Sequence, residues 1–411
     1  MNNRNFLGEL KNFYIGIKDE DLKRLYNLDF HLVRYADDVI ANNRCVNRSS
    51  LSKKRELSDI QKIDAVPKST NVAGFTALLL CGGMATGFAN VPKAIYEIKN
   101  LPNFKCQISF LGLNILQIIK AEKLFCHKIP IIIYDDFYTH DKIVTHLKKN
   151  SFFGKNPIDF YYVRESAGLR YVPNEKFLLA NGFKNNLSPC ELNGLSRETR
   201  LFVVGSVKNS IISDGHFVLN NLILSKSFRL LIKDNPRIKY LVVSNVDNLG
   251  QKYFPNLVNT DSSQNYILVC KRTAGERMDN IFNASKGLII EPYFVQNRIE
   301  SKIGFTATSY IKLDNLFAAF GYKSEQRYLT ASKSKKLPNK YRLVLKTPVI
   351  DGIKMITVHF ESSLAEIWRF LKLEAVEVDR DRAFYPFKSL NDITPDYIKS
   401  LSEAIIKYNY I

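Results

Sequence analysis

The chain reads GFTALLLCGGMATGFANVPK from Gly74 to Lys93. Phe75 to Leu80 is a short apolar run that predicts a buried strand, and Gly82-Gly83 ends it. Because a glycine turn has no Cβ atoms, its backbone N–H groups can approach an anion closely, and Thr86 adds a hydroxyl donor. The stretch is therefore typical of a phosphate-binding loop that ends in a lysine. It matches neither G-x-G-x-x-G nor a P-loop, so a buried strand followed by an ordinary glycine turn explains it equally well.

The composition is that of a globular protein with an excess of positive charge. The chain has 411 residues, with 59 Lys and Arg against 40 Asp and Glu, and its net charge is +19. Such an excess suggests an anionic partner. The basic runs at 44–55 and 333–342 indicate solvated loops more than a nucleic-acid groove. We therefore do not expect nucleic acid to be the partner, despite the charge.

The cysteines occur singly, at positions 45, 81, 106, 126, 190 and 270, without a C-x-x-C pair. This spacing favours neither a zinc site nor a disulfide framework, and it favours a reducing compartment. The amino terminus has no continuous apolar segment, and no later stretch reaches the length of a membrane span. We expect a cytoplasmic protein of two or three structural units, without a membrane partner.

Apolar, strand-like runs alternate with helical periods through the middle of the chain. Strands are predicted at 128–134, 158–164 and 240–246, and helices at 108–125, 141–149 and 217–232. This alternation predicts an α/β fold with a central mixed, mainly parallel sheet. The patterns divide the chain into an N-terminal helical region and connector (1–71), an α/β domain (72–322), a basic loop (323–342) and a short C-terminal α+β segment (343–411), in which a hairpin-like pattern precedes helices at 364–373 and 395–408.

The strand predicted at 240–246 ends in a polar turn that contains Asn245, Asp247 and Asn248. In an open α/β sheet, ligands collect at the carboxyl ends of the strands. A carboxylate in that place can hold a metal ion that is bound to phosphates. A strand-end Asp is also a common turn former. We predict that Asp247 binds Mg²⁺ and that it faces a solvent cleft together with the loop at Gly82.

Several segments together resemble the UTP–glucose-1-phosphate uridylyltransferases, and the eukaryotic type more than the bacterial one. The similar segments occur in the family's order: 82–86 with GGxGT, 92–93 with PK, 129–139 with VPLxLMNSFNT, 215–216 with the first half of GHGD, 243–250 with VSNVDNLG, 271 with the lysine of VxxKT, 289–291 with LLE, 360–361 with LET and 382–392 with RFxPVKxxxDL. The resemblance thus extends from about residue 72 to residue 393. Its collinearity is more specific than any single motif.

The resemblance implies a Rossmann-like, GT-A-like nucleotidyltransferase domain at 72–322, completed by the C-terminal segment. It implies an enzyme that transfers UMP from UTP to a sugar 1-phosphate or related phosphorylated acceptor, with Mg²⁺ as cofactor and pyrophosphate as product. The implied roles are phosphate neutralisation by Lys93, Lys271 and Lys388, nucleotide binding by Cys81, Gly82, Gly83, Thr86, Gly215 and Asn245, acceptor binding by His216, Glu291 and Thr306, and metal binding by Asp247. Taken singly, each lysine is more often a solvent-facing group.

Other positions depart from the family's pattern, mostly around the sugar. Phe217 and Val218 replace the second half of GHGD, Thr306 and Thr308 stand where the family has Asn, and 160–163 alters the FNQS segment. These changes keep a catalytically degenerate nucleotide-binding protein as the alternative, with a basic nucleic-acid-binding protein less favoured. The chain also ends before the family's carboxy-terminal β-helix, which is used in self-association, so the oligomeric state is open and a monomer is one expectation.

Overall fold

A computed structural model describes residues 29–42, 44, 46, 55–58, 60–67, 71–82, 91–99, 101–102, 104, 107–183, 200–201, 211–213, 215, 217–273, 276, 278–284, 287–291, 300–332, 335–338, 340–350 and 353–408. In this part of the chain the strands form two large sheets, of eleven and five strands, and two further strand pairs, with helices packed against the large sheets. The predicted N-terminal helical region is described only from residue 29, and the predictions for Gly83, Thr86 and His216 lie outside the described residues.

The strands, numbered in chain order, are β1 (Arg55–Glu56), β2 (Gln61–Lys62), β3 (Gly74–Leu80), β4 (Glu97–Ile98), β5 (Ile108–Ser109), β6 (Ile131–Asp135), β7 (Phe160–Arg164), β8 (Ala167–Val172), β9 (Arg200–Leu201), β10 (Ile211–Ser213), β11 (Ile238–Asn245), β12 (Asn265–Lys271), β13 (Asp279–Ala284), β14 (Gly287–Glu291), β15 (Ile303–Lys312), β16 (Tyr341–Lys346), β17 (Val349–Ile350), β18 (Ile353–Lys354), β19 (Thr357–Ser362) and β20 (Leu373–Glu377).

The α-helices are α1 (Phe30–Ala41), α2 (Phe110–Phe125), α3 (His140–Lys149), α4 (Glu175–Ala180), α5 (Val218–Leu224), α6 (Lys226–Asp234), α7 (Leu313–Ala319), α8 (Glu325–Thr330), α9 (Arg380–Ala383) and α10 (Pro395–Lys407). Short 3₁₀ helices lie at Ile63–Ala65, Lys93–Ile95, Ser151–Gly154, Pro157–Asp159, Pro255–Leu257, Leu364–Arg369 and Leu390–Asp392.

The main sheet has the strand order β2-β20-β12-β15-β11-β3-β6-β7. The neighbours β11, β3, β6 and β7 are parallel, as are β2, β20 and β12. β15 lies between the two parallel groups and is antiparallel to both β11 and β12. The predicted α/β fold with a central mixed, mainly parallel sheet is therefore confirmed.

Both faces of the main sheet are covered, which explains why its strands are apolar throughout. Along β3, Phe75, Ala77 and Leu79 pack in the core that contains α2 and the C-terminal helix α10. Leu78 and Leu80 point to the opposite core, which contains α5, α6 and α7. Successive side chains of a strand point to opposite faces, so a parallel strand buried on both sides requires a continuous apolar run.

Three predicted elements differ from the structure. The single helix expected at 217–232 is two helices, because Ser225 is extended and its hydroxyl accepts the N–H groups of Ser227 and Phe228 as a helix cap. The helix expected at 364–373 is a 3₁₀ helix followed by β20. The expected basic loop at 323–342 contains α8, whose Tyr328 is buried.

A second sheet has the order β10-β8-β19-β16, with β9 paired to β8. β16 and β19 pair antiparallel, as their alternating pattern predicted. Only two residues separate β8 from the end of β7, so this sheet joins the main sheet at the carboxyl ends of its parallel strands. No helix in the described ranges is long and apolar enough to cross a membrane.

Candidate functional site

The candidate site is built around Asp247, which comes two residues after the end of β11. Lys93 Nζ lies 2.8 Å from Asp247 Oδ2, and Lys388 Nζ lies 3.1 Å from the same oxygen. The side chain of Asp247 is 7% exposed, that of Lys93 22% and that of Lys388 49%. The structure thus brings together three predicted site residues that are far apart in the sequence.

The pairing of β11 with β3 places Asp247 beside the start of the glycine loop. Asn245 is the register partner of Leu80, and the N–H of Val246 donates to the carbonyl of Leu80. The two strands are parallel, so their carboxyl ends lie side by side at one edge of the sheet. The described start of the loop, Cys81 and Gly82, therefore lies at the same edge as Asp247.

Lys388 reaches Asp247 because the segment before it is fixed to the turn after β11. The side chain of Asn248 is buried and accepts the N–H of Tyr385 at 2.9 Å. The N–H of Phe387 donates to the backbone carbonyl of Asp247 at 3.0 Å. Asn248 was not predicted as a site residue, although it lies in the VSNVDNLG segment. It is a positioning residue, because its amide holds the strand-like segment that carries the lysine.

The two lysines keep the Asp247 carboxyl ionised. Burial alone would raise the pKa of Asp247, but Lys388 and Lys93 outweigh it and hold this pKa well below its usual range. The expectation that Asp247 faces a solvent cleft was wrong, because the residue is buried. The cause is the 383–388 segment, which covers the turn from a distant part of the sequence.

The donor set is compatible with the predicted Mg²⁺. Both lysines contact Oδ2 of Asp247, whereas its Oδ1 is buried and has no hydrogen-bond donor among the described residues. Mg²⁺ is usually bound by one or two carboxylates together with substrate phosphates and water. Within the described ranges, no group of three or more His, Cys, Asp or Glu side chains could hold a metal ion by itself. Asp247 is therefore the described residue that would hold such an ion, with further ligands supplied by a substrate or water.

Lys271 lies at the same carboxyl edge of the main sheet as Asp247, but two strands away. It is exposed at the end of β12, and β15 separates β12 from β11. Its side chain lines a cavity of about 530 Å³ together with Glu56, Lys302 and Glu377. The sequence does not show that β15 lies between the strand that ends at Lys271 and the strand that precedes Asp247.

Gly82 has a side-chain neighbour that sequence reasoning missed. A Cβ atom on Gly82 would lie 2.7 Å from Oε2 of Glu165, whose side chain is buried. Glu165 follows β7, and its N–H donates to the carbonyl of Asp135. The absence of a Cβ on Gly82 therefore makes room for this carboxylate. A polar residue directly after the strand predicted at 158–164 was the available signal, the same signal that singled out Asp247.

Other described residues of the predicted site lie in the main sheet or directly after one of its strands. Cys81 is buried, and burial, followed by the charge of Asp135, raises the pKa of its thiol well above the usual value. The hydroxyl of Thr306 is buried and donates to the carbonyl of Leu268 at 2.9 Å. Glu291 is buried at the end of β14, and Asn245 is partly exposed at the end of β11. Their roles in binding stay predictions.

Gly215 has a positive φ and too little space around it for a Cβ atom, so only glycine fits there. Its φ is +95°, it forms a bridge with Ser362, and an added Cβ would lie 2.2 Å from the Ser362 carbonyl oxygen. The contact fixes the segment before α5 to the second sheet.

We expect Gly215→Ala to lower the free energy of unfolding by at least about 2 kcal/mol more than Gly321→Ala. Gly321 has a similar φ of +84° but no atom within 4 Å of an added Cβ, so the pair separates the clash from the backbone strain. Urea unfolding of the two variants measures the difference. Equal losses would show that Ser362 moves away without cost.

No protein-family model matches the chain, and no curated protein sequence matches it. Solved structures do match. UDP-glucose pyrophosphorylase from Leishmania major, a single-site mutant in complex with UDP-glucose, is 16% identical with a TM-score of 0.64, over 93% of this chain and 77% of that protein. UDP-glucose phosphorylase from Trypanosoma brucei is 16% identical with a TM-score of 0.63, over 93% and 76%. UDP-N-acetylglucosamine pyrophosphorylase from Trypanosoma brucei, in complex with an inhibitor, is 15% identical with a TM-score of 0.57, over 92% and 70%. The chain therefore has the fold of these pyrophosphorylases.

Proposed function

We propose that the protein transfers UMP from UTP to a sugar 1-phosphate, or to a related phosphorylated acceptor, and releases pyrophosphate. The observation that carries this proposal is the contact of Lys93 and Lys388 with one buried carboxylate, Asp247, at the carboxyl edge of the sheet. The shared fold supports it, since the pyrophosphorylases with that fold are named for UDP-sugars.

The proposed reaction needs charge and alignment more than proton transfer. The attacking phosphate oxygen is already ionised near pH 7, so no side chain has to remove its proton. Negative charge accumulates on the α-phosphate and on the leaving pyrophosphate, and fixed cations at these places lower the barrier. The ammonium groups of Lys93 and Lys388 both lie within hydrogen-bond distance of Asp247 Oδ2. They are therefore the candidates for stabilising this negative charge.

Asp247 orients these two ammonium groups before the nucleotide arrives. Its carboxylate holds both lysines by one oxygen, so the charges stay near each other despite their mutual repulsion. The partly exposed side chain of Lys388 can then turn toward a phosphate oxygen, whereas the less exposed Lys93 has less freedom. Mg²⁺ bound at Asp247 Oδ1 would add further positive charge to the triphosphate.

A nucleotide-binding protein without turnover is the second candidate, and one observation favours it. Thr306 stands where the family resembled by the sequence has an amide. Its hydroxyl proton is already donated within the protein, to the Leu268 carbonyl. Sugar hydroxyls lose a partner there. We therefore expect a uridine nucleotide to bind more tightly than glucose 1-phosphate.

The proposal is tested by pyrophosphate release from UTP across a panel of sugar phosphates, with and without Mg²⁺. Release that requires both UTP and an acceptor supports the transferase. Tight UTP binding in calorimetry without release for any acceptor would favour the degenerate protein. Affinity for RNA or DNA that falls steeply with salt would favour the nucleic-acid-binding protein instead.

A further inference from the structure

One face of the second sheet carries two arginines. Arg170 of β8 is the register partner of His359, and Arg342 of β16 is the register partner of Glu361. Directly opposed residues share a face, and residues 359 and 361 of β19 share it too. We call Arg170, Arg342, His359 and Glu361 the arginine face. The opposite face of the same strands is apolar and packs in a core with α1.

Arg342 is buried, and two of its three side-chain nitrogens have no acceptor among the described residues. The residue is 5% exposed, and its Nη2 donates to Glu366 Oε1 at 3.1 Å. Its Nε and Nη1 are buried and have no acceptor among the residues that the structure describes. A guanidinium group presents a planar fork that matches two oxygens of a carboxylate or phosphate. Buried donors of a charged group are costly to leave unpaired, so their orientation toward one face points to an oxyanion.

Two neighbours on the arginine face each have one buried nitrogen without a hydrogen-bond partner among the described residues. The Nε of Arg170 is buried without an acceptor among the described residues, and Arg170 forms no ion pair with a described carboxylate. His359 is fully buried, with Nε2 bound to Glu361 and with no partner for Nδ1 in the same part of the chain. The arginine donors without an acceptor among the described residues thus come from β8 and β16, the strands on either side of β19.

The arginine face lies near the edge of the main sheet that carries Asp247. β8 follows β7 after Glu165 and Ser166 alone, and β7 ends at that edge. Arg170 interacts electrostatically with Tyr138, which lies just after β6 at the same edge. Arg170 therefore lies near the carboxyl ends of β6 and β7, at the same edge of the sheet as Asp247.

We propose that the arginine face binds an anionic group of the acceptor, a carboxylate or a second phosphate, in addition to the phosphate that is joined to UMP. Calling the ligand the acceptor rests on the proposed function. A neutral hydroxymethyl group in this place would leave the buried donors unpaired, so the site discriminates against unmodified hexose 1-phosphates. The acceptor class is an acidic sugar phosphate or a sugar bisphosphate.

Calorimetric titration tests this proposal with three probes: glucose 1-phosphate, glucuronic acid 1-phosphate and glucose 1,6-bisphosphate. We expect at least one of the two anionic probes to bind about tenfold or more tightly than glucose 1-phosphate, since a charge-assisted hydrogen bond contributes at least that factor. The two probes separate a carboxylate ligand from a phosphate ligand.

Arg170→Gln is the deciding variant, because Arg170 forms no ion pair with a described carboxylate and the variant should fold. Substitution of Arg342 would instead leave Glu366 without its nearest cation among the described residues. We expect Arg170→Gln to reduce the preference for the anionic probe to about threefold or less. Arg369→Gln is the matched control: Arg369 lies 3.7 Å from the same Glu366 but belongs to the 3₁₀ helix and not to the arginine face. The preference should persist in this control.

Equal binding of the three probes, or a preference that persists in Arg170→Gln, overturns the proposal. Neither result affects the proposed function, because pyrophosphate release from UTP is measured separately. Conversely, a preference that depends on Arg170 in a protein that releases no pyrophosphate with any acceptor supports the anion site and contradicts the transferase.

Discussion

Asp247→Asn is expected to lower the rate of pyrophosphate release from UTP by about a hundredfold to a thousandfold. The amide keeps the shape of the side chain but removes the charge that orients Lys93 and Lys388 and that would bind Mg²⁺. Initial rates at saturating UTP measure the loss. The free energy of unfolding should also fall, by about 1–3 kcal/mol, because two ammonium groups lose their common carboxylate. The partial exposure of both lysines keeps this loss below that of a fully buried pair.

Asp234→Asn is the matched control for this variant. Asp234 is an exposed aspartate at the end of α6, and it should change neither the rate nor the stability appreciably. Normal turnover in Asp247→Asn would place the metal and the phosphate-orienting group elsewhere.

The difference in the free energy of unfolding between the wild type and Asp247→Asn should decrease as the pH falls. The pKa of Asp247 is held below its usual range in the folded protein, so the unfolded chain binds a proton there first as the pH falls. The contribution of the carboxylate is therefore fully present above about pH 4 and decreases below it. Urea unfolding between neutral and acidic pH should show the difference narrowing as the pH falls. A difference that grows toward low pH would contradict the ion pairs.

Much of the fold was predictable because its signals are local. The apolar runs of β3, β6, β7 and β11 are each legible in a few residues, and their polar ends locate the edge where ligands collect. The proximity of Lys93, Asp247 and Lys388 was predicted from motifs that occur in the family's order, and not from a local pattern. The observed distances agree with that prediction.

The rest depended on contacts that no local pattern encodes. Asp247 is buried because Asn248 binds a segment more than a hundred residues later, so a strand-end aspartate that looks exposed in sequence is covered in three dimensions. The approach of Glu165 to Gly82 arises from the order β3-β6-β7. The arginine face likewise needs the pairing of β8 with β19 and of β19 with β16, whose alternating runs do not specify a partner.

Lys388→Met is expected to lower the rate of pyrophosphate release by about a hundredfold or more while changing the free energy of unfolding by less than about 1 kcal/mol. The two effects separate because Lys388 is half-exposed and Asp247 keeps Lys93 as a partner 2.8 Å away. Loss of one ammonium group also removes the repulsion between the two lysines. Lys399→Met, on the exposed side of α10, is the control and should leave both quantities near those of the wild type.

The double variant Lys93→Met with Lys388→Met should be destabilised by more than the sum of the two single variants. Each single variant leaves Asp247 with one of its two lysine partners. The double variant removes both, so the desolvation penalty of the buried carboxylate is no longer offset by either lysine. The depressed pKa of Asp247 should then rise, since burial is the largest influence that remains. Stability of the double variant should consequently increase as the pH falls toward the raised pKa, opposite to the effect on the ion pairs of the wild type. Additive losses with an unchanged pH dependence would mean that other groups neutralise Asp247 and that the two lysines do not share it in solution.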